Sequence, residues 1–184
     1  MIAAWKYVDE TYDADTREKI VRQLSPSVRD ALGTYKEVEF YPANHWGEIL
    51  HGIATVVGKT EEKAQQELQA CGSFIALQAT NTFLRLLMRV LTPTLFARKI
   101  PTLWSRDNTA GSFNVDLTNL DDGRLVFNLS DVSGYMHCGP CSMGWVSFAM
   151  KQMGRPTKSI KLSGWSLDNP APKECSIDLQ LAQS

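Results

Sequence analysis

The sequence has few of the residues that usually carry chemistry, with four cysteines and three histidines among its 184 residues. Its first residues lack the basic start, apolar run and cleavage site of a signal peptide. No stretch approaches the roughly 20 apolar residues of a membrane span, because Gln78, Asn81 and Arg85 interrupt the most apolar run, residues 74–91. A net charge of -1 leaves no basic footprint for nucleic acid. We therefore expect a cytoplasmic protein with reduced thiols that spans no membrane and binds no nucleic acid.

Catalytic motifs are missing as well. His45 and His51 share no helix face well, and no nucleophile-elbow motif accompanies them. We expect both to be structural or surface histidines, and the sequence predicts no enzyme. No repeat, low-complexity tract or linker divides the chain. Its hydrophobic fraction of 43% and charged fraction of 21% are ordinary for a globular protein, so we predict a single domain over residues 1–184.

The first half of the chain has helical patterns. Residues 15–24 predict a helix, and Ser25-Pro26 starts another that stops at Gly33. A third helix begins near Ala43, and Thr60 caps a fourth that we expect to break near Gly72. An apolar helix over residues 74–91 follows, and the helical region ends near Pro101.

After Pro101 the apolar period changes to two, which indicates strands. Residues 113–117 and 125–129 predict one hairpin, and a helix over residues 134–156 separates it from a second hairpin that carries Cys175. N-terminal helices followed by hairpin, helix and hairpin indicate an α+β fold with a mainly antiparallel sheet.

The helix within the stretch 134–156 is expected to be central and buried, because it is apolar around most of its circumference. We place Pro140 at its first position and expect Trp145 to pack against the sheet. Its apolar residues form two faces, one with Cys141, Trp145, Phe148 and Ala149, the other with Met143, Val146, Met150 and Met153.

Cys138-Gly139-Pro140-Cys141 is identical to the active-site tetrapeptide of thioredoxins. A helix N-terminus stabilises a thiolate, so thiol–disulfide exchange is one alternative. Ile100-Pro101-Thr102 resembles the proline loop of those enzymes, but it precedes the cysteines instead of following them. A second alternative is zinc held by His137, Cys138, Cys141 and Cys175, or with Cys71, although no second close cysteine pair exists. The third is that the thiols simply pack as small apolar groups.

The second half of the chain resembles a known family. Gly144-Trp145-Val146-Ser147, then Gly154-Arg155-Pro156 and Cys175-Ser176-Ile177, is similar to the 4-vinyl-reductase domain. That superfamily includes the haem-NO-binding (H-NOX) sensors and the TRAPP tethering subunits. With Phe40-Tyr41-Pro42 and Ile100-Pro101-Thr102, the chain also resembles a family of unknown function known mainly from myxobacteria.

This resemblance implies a pocket between helices and sheet and a tendency to dimerise. Two departures argue against haem held in the family's usual manner: residues 79–91 contain no histidine, and Asn128-Leu129-Ser130-Asp131 replaces a Tyr-x-Ser-x-Arg motif. Only Cys175 matches the zinc-binding cysteines of phenol-sensing members, so we expect no cofactor.

We therefore predict a non-enzymatic ligand-sensing or protein-interaction domain with an apolar pocket, acting as a homodimer on a small apolar ligand or a protein partner. A thiol–disulfide protein and a zinc- or haem-binding sensor stay as alternatives. The predicted pocket residues are Phe74, Phe83, Leu87, Phe127, Met143, Trp145 and Phe148.

Overall fold

The structure is a computed structural model that describes residues 2–36, 39–80 and 88–182. The α-helices in these ranges are α1 (Ile2–Thr11), α2 (Ala14–Gln23), α3 (Pro26–Ala31), α4 (Ala43–Ile53), α5 (Glu61–Ala79), α6 (Pro93–Asp107) and α7 (Cys138–Gln152), and a π-helical turn, Ala54–Gly58, continues α4. The strands are β1 (Ser112–Asp116), β2 (Arg124–Ser130), β3 (Thr157–Ser163) and β4 (Glu174–Leu181). The predicted α+β class and the order helices, hairpin, helix, hairpin are confirmed. Over the described ranges, no helix combines the length and apolarity needed to cross a membrane.

The strands form one antiparallel sheet in the order β1-β2-β4-β3. Each hairpin pairs its own two strands, and β2 and β4 join the hairpins at the centre, with Phe127 opposite Ile177. Alternate side chains of β2 and β4 are buried, as period-two patterning requires. One face of the sheet therefore packs inward, and α7 covers it.

The buried residues form two clusters that meet at α7. The sheet core lies between the sheet, α6 and α7, and includes Phe113, Phe127, Ile177, Met143 and Met150. The helical core lies among α1, α2, α4 and α5, and includes Val8, Ile20, Ile49, Leu68 and Cys71. Cys138 belongs to the sheet core and Cys141 to the helical core, so the first turn of α7 joins the two.

Capping residues set where the N-terminal helices α2 and α3 begin. The Asp13 carboxylate accepts a hydrogen bond from the Thr16 N–H at 2.8 Å and caps α2. Pro26 starts α3, as predicted. Helix α1, which the sequence patterns did not predict, is tied to α5 by the Tyr12 hydroxyl, which donates to Glu67 Oε2 at 2.8 Å.

Helix α5 continues through Gly72, so the predicted break there is wrong. Gly72 lies where α5 crosses α7, and a Cβ added at Gly72 would overlap the Cys141 carbonyl oxygen. Gly144 of α7 has the same role, because its added Cβ would overlap the Gln69 carbonyl oxygen. Glycine at this crossing allows two helix backbones to touch and does not end a helix.

Pro101 lies inside α6, so the prediction that the helical region ends near Pro101 is wrong. The resemblance of Ile100-Pro101-Thr102 to a thioredoxin proline loop is therefore also wrong. A proline in a helix interior costs about 3 kcal/mol, and here Phe96, Ala97 and Ile100 bury one face of the helix against its neighbours. The predicted helix over residues 74–91 starts within α5, and residues 81–87 lie outside the described ranges.

Candidate functional site

Helix α7 begins at Cys138, two residues before the predicted first position at Pro140. Proline is still tolerated at this position, because the N–H groups in the first turn of a helix have no partner within the helix. His137, just before the helix, adopts a left-handed backbone conformation with a φ of 58°. Its N–H donates to the Pro170 carbonyl oxygen at 2.6 Å, which fixes the β3–β4 loop over the start of α7.

A cavity of about 990 Å³ lies between α7, α5, α6 and the start of α4. Buried residues form its floor, namely Gly72, Ala76, Thr80, Met88, Phe96, Ile100, Phe113, Tyr135, Cys141, Ser142 and Ala149. Half-buried aromatic side chains form its walls, among them Trp46, Trp104, Trp145 and Phe148. Ligand pockets are typically apolar clefts of 300–1,000 Å³ with a few polar groups, and this cavity has that character.

Trp145 packs at the margin of the sheet core and also lines the cavity, so the expectation that it is buried against the sheet is wrong only in the extent of burial. Its side chain is half-buried and stacks on Phe96, with ring centroids 5.7 Å apart. Residues three and four apart share a helix face, and Met143, Val146 and Met150 already occupy the face toward the sheet. Trp145 and Phe148 are rotated away from that face and reach the cavity.

The predicted pocket residues are distributed over three environments. Trp145 and Phe148 line the cavity. Phe127 and Met143 lie inside the sheet core, and Phe74 packs on Tyr7 beside the helical core. Phe83 and Leu87 lie outside the described residues. The assignment of these residues to a ligand pocket stays a prediction.

The four cysteines are buried and form no disulfide. The Cys138 thiol lies near Cys175 of β4, and the Cys141 thiol lies near Cys71 of α5. The neighbouring thiol of Cys71 on α5, together with burial, raises the pKa of the Cys141 thiol well above the usual range. Burial and the neighbouring Cys175 raise the pKa of the Cys138 thiol. Thiol–disulfide exchange needs an accessible thiolate, so this geometry does not favour the redox alternative.

The predicted zinc ligands are not brought together. Among the residues that the structure describes, no group of three or more histidine, cysteine or acidic side chains could hold a metal ion. The Cys175 Sγ approaches α7 near Gly139, whereas Cys141 faces α5. His137 instead contacts His51, with its Nε2 3.1 Å from the His51 Nδ1.

The His51–His137 pair lies beside the helical core. The two rings stack with centroids 5.4 Å apart, and Trp165 packs edge-on against His137 at 5.9 Å. His137 is fully buried. Burial, and then the like charge that His51 would add, lower the pKa of His137 to about 3. His137 is therefore neutral at physiological pH and contributes to packing.

Several solved structures share this fold. An H-NOX protein from K. algicida superposes with a TM-score of 0.71 at 12% identity, over 99% of this chain and 94% of that one. The fold is that of an H-NOX domain. An H-NOX protein from S. oneidensis in the Fe(II)NO state gives a TM-score of 0.65 at 13% identity, with 99% and 96% covered. An S. woodyi H-NOX protein in the Fe(II)CO state gives 0.51 at 9% identity, with 98% and 91% covered.

These matches confirm the predicted H-NOX-like resemblance at the level of fold. No model of a protein family matches the sequence, and no curated protein sequence matches it either. The resemblance to the myxobacterial family stays a prediction.

Sequence reasoning missed the contribution of α6 to the cavity. Phe96, Ile100, Leu103 and Trp104 line it, and Trp104 packs on Phe113 and on Tyr135. The spacing of these four residues is that of one helix face. The signal was therefore present, but Pro101 led to the prediction that the helical region ends there.

Proposed function

We propose that this chain is a non-enzymatic sensing domain that binds a small, largely apolar molecule in the cavity beside α7. The observation that carries this proposal is the half-buried aromatic wall of Trp46, Trp104, Trp145 and Phe148 around a buried floor. By contrast, Phe127 and Met150 of the sheet core are fully enclosed.

The fold neighbours support a sensing role. The proteins that share the fold include one from S. oneidensis in the Fe(II)NO state and another studied for haem distortion. A ligand between helices and sheet would contact α5, α6 and α7 together. Such a ligand would be placed to shift their packing, which is how a binding event becomes a signal.

The residues of this cavity do not fit a haem held through an axial imidazole. His45, His51 and His137 are absent from the described lining, and residues 81–87 contain no histidine or cysteine in the sequence. Cys141 lines the floor, but the neighbouring Cys71 and burial raise the pKa of its thiol and keep it protonated. We therefore propose a ligand that needs no axial bond to the protein.

The described lining also offers little for catalysis. Its buried polar groups are the hydroxyls of Thr80, Tyr135 and Ser142 and the protonated thiol of Cys141. A nucleophile needs an adjacent base with a suitable pKa, and none of the histidines is among the described lining residues. This donor set supports binding without chemistry.

The uncharged fluorophore N-phenyl-1-naphthylamine tests the proposal directly. We expect saturable binding of one probe per chain, with an emission increase as the probe leaves water. Leu103→Trp places a larger side chain in the cavity wall and should weaken this binding at least tenfold, because the added ring occupies ligand volume.

Leu95→Trp is the matched control. Leu95 is on the same helix, is 47% exposed and lies outside the cavity lining. The Leu95→Trp variant should bind the probe with the same affinity as the wild type. Unsaturable binding, or equal affinity in the two tryptophan variants, contradicts the proposal. A parallel titration with haemin that produced a stoichiometric Soret band would show that haem is the ligand after all.

Homodimerisation and a protein partner stay predictions. Light scattering of the purified chain at high concentration measures the oligomeric state, and a monomer would count against the predicted homodimer.

A further inference from the structure

We infer that the ligand of this cavity is an amphipathic carboxylate, an apolar body with one acidic end. This inference rests on the proposed function and names the class of molecule that the site would select. It is carried by the distribution of charge around the cavity: the floor is uncharged and largely apolar, and cations predominate at the exposed edge.

Most of the charged side chains at the exposed edge of the cavity are cations. The charged members of this edge are four cations and two carboxylates, namely Lys6, Lys36, Lys99, Arg106, Glu39 and Asp107. The chain as a whole carries a net charge of -1. A locally positive edge on a slightly acidic protein raises the local concentration of anions at that edge.

The edge cations differ in how far they are neutralised by the protein. Lys36 is paired with Glu39 at 3.0 Å, and Arg106 is paired with Asp107 at 2.7 Å. The Lys6 Nζ lies 3.6 Å from the Glu10 Oε1 and donates a hydrogen bond to the Gln78 Oε1 at 3.1 Å. Lys99 has no hydrogen bond or ion pair with any residue that the structure describes. Lys99 is therefore the cation best placed to receive an acid from a ligand.

The position of Lys99 fits this role. It follows Phe96 by three residues and precedes Ile100, and all three line the cavity from α6. Phe96 and Ile100 are buried in the floor, whereas Lys99 is exposed. An apolar chain lying on the floor would bring its end group to the edge at this turn of α6. An acid there forms an ion pair, and an amine there meets like charge.

Three twelve-carbon ligands that differ only in the end group test the inference. Dodecanoate, dodecanol and dodecylammonium are titrated at low ionic strength and below their aggregation limits, and tryptophan emission reports binding. We expect dodecanoate to bind about fivefold more tightly than dodecanol, with dodecylammonium weakest. Salt at about 0.5 M should reduce the advantage of dodecanoate, because it screens exposed charges.

A pair of variants locates the effect. Lys99→Gln should weaken dodecanoate binding about two- to fivefold and leave dodecanol binding unchanged. Lys151→Gln removes an exposed lysine of α7 that does not line the cavity, and should change neither. Equal affinity for acid and alcohol, or tightest binding of the amine, overturns this inference and leaves the proposed cavity function standing. Failure of all three ligands to bind overturns both.

Discussion

The two long sides of α7 carry similar residues but belong to different environments. Toward the sheet, Met143, Val146 and Met150 are fully enclosed. Toward the cavity, Trp145 and Phe148 are half-buried although they are larger. Burial of side chains drives folding, so the sheet side stabilises the protein, and the cavity side keeps apolar surface that a ligand can cover. Apolar residues on one helix can therefore serve two purposes that only their neighbours distinguish.

The largest effect is expected where α7 touches α5. Gly144→Ala places a Cβ against the Gln69 carbonyl oxygen, and neither backbone can move without separating the two cores. We expect a loss of more than about 4 kcal/mol in the free energy of unfolding, measured by chemical denaturation. Gly33→Ala is the control, because an added Cβ there meets nothing within 4 Å. A loss below about 1 kcal/mol for Gly144→Ala would show that this crossing is not tight.

On the sheet side, Met150→Ala should cost about 3–5 kcal/mol, because it leaves a cavity in the sheet core. Its effect on binding of N-phenyl-1-naphthylamine should be small once the protein is folded. Urea denaturation and a probe titration on the same sample give both values. A loss under about 1 kcal/mol would mean that this side of α7 is not the core.

Acid should destabilise the protein through His137. Its pKa is about 3 when folded and about 6.5 when unfolded, so the unfolded chain binds the proton between these values. The contribution of His137 to the free energy of unfolding is fully present above pH 6.5 and is lost as the pH drops toward 3. At pH 4 the loss from this group would be about 3 kcal/mol.

His137→Asn removes this titration and should flatten the pH dependence between 6.5 and 4. His45→Asn is the comparison, because His45 lies apart from the pair and contacts Tyr35. If both variants keep the wild-type pH profile of unfolding, the start of α7 is not closed to solvent.

On the cavity side, Trp145→Ala should cost only about 1–2 kcal/mol, since the ring is half-buried. The same variant should weaken probe binding, because it removes the stack with Phe96 from the wall. The expected order of stability loss, Met150→Ala above Trp145→Ala, is the reverse of side-chain size. An equal or larger loss for Trp145→Ala would place Trp145 in the core.

The architecture was predictable because it depends on local patterns. Alternation in β2 and β4 predicted the hairpins, and Pro26 and Thr60 marked helix starts. Gly72 and Pro101 misled because their local preference is to break helices. In this fold, α5 stays helical through Gly72 because it touches α7 there, and α6 stays helical through Pro101 because its buried face packs on its neighbours.

The cavity was less predictable, for a geometric reason. A half-buried wall and a packed core both present large apolar residues at helical spacing. Phe74 and Phe148 look alike in the sequence, and only the position of α6 makes one of them a wall. The histidine pair was hidden for the same reason, since His51 and His137 meet only after the cores assemble.

The most direct test uses the five tryptophans as reporters. Trp46, Trp104 and Trp145 line the cavity, whereas Trp5 and Trp165 do not. In protein labelled with 5-fluorotryptophan, single Trp→Phe variants assign the five ¹⁹F resonances, and saturating N-phenyl-1-naphthylamine is then added. The proposed site predicts that the resonances of the three cavity tryptophans shift and those of Trp5 and Trp165 stay. Shifts confined to Trp5 or Trp165, or no shift at all, would contradict a binding site on the cavity side of α7.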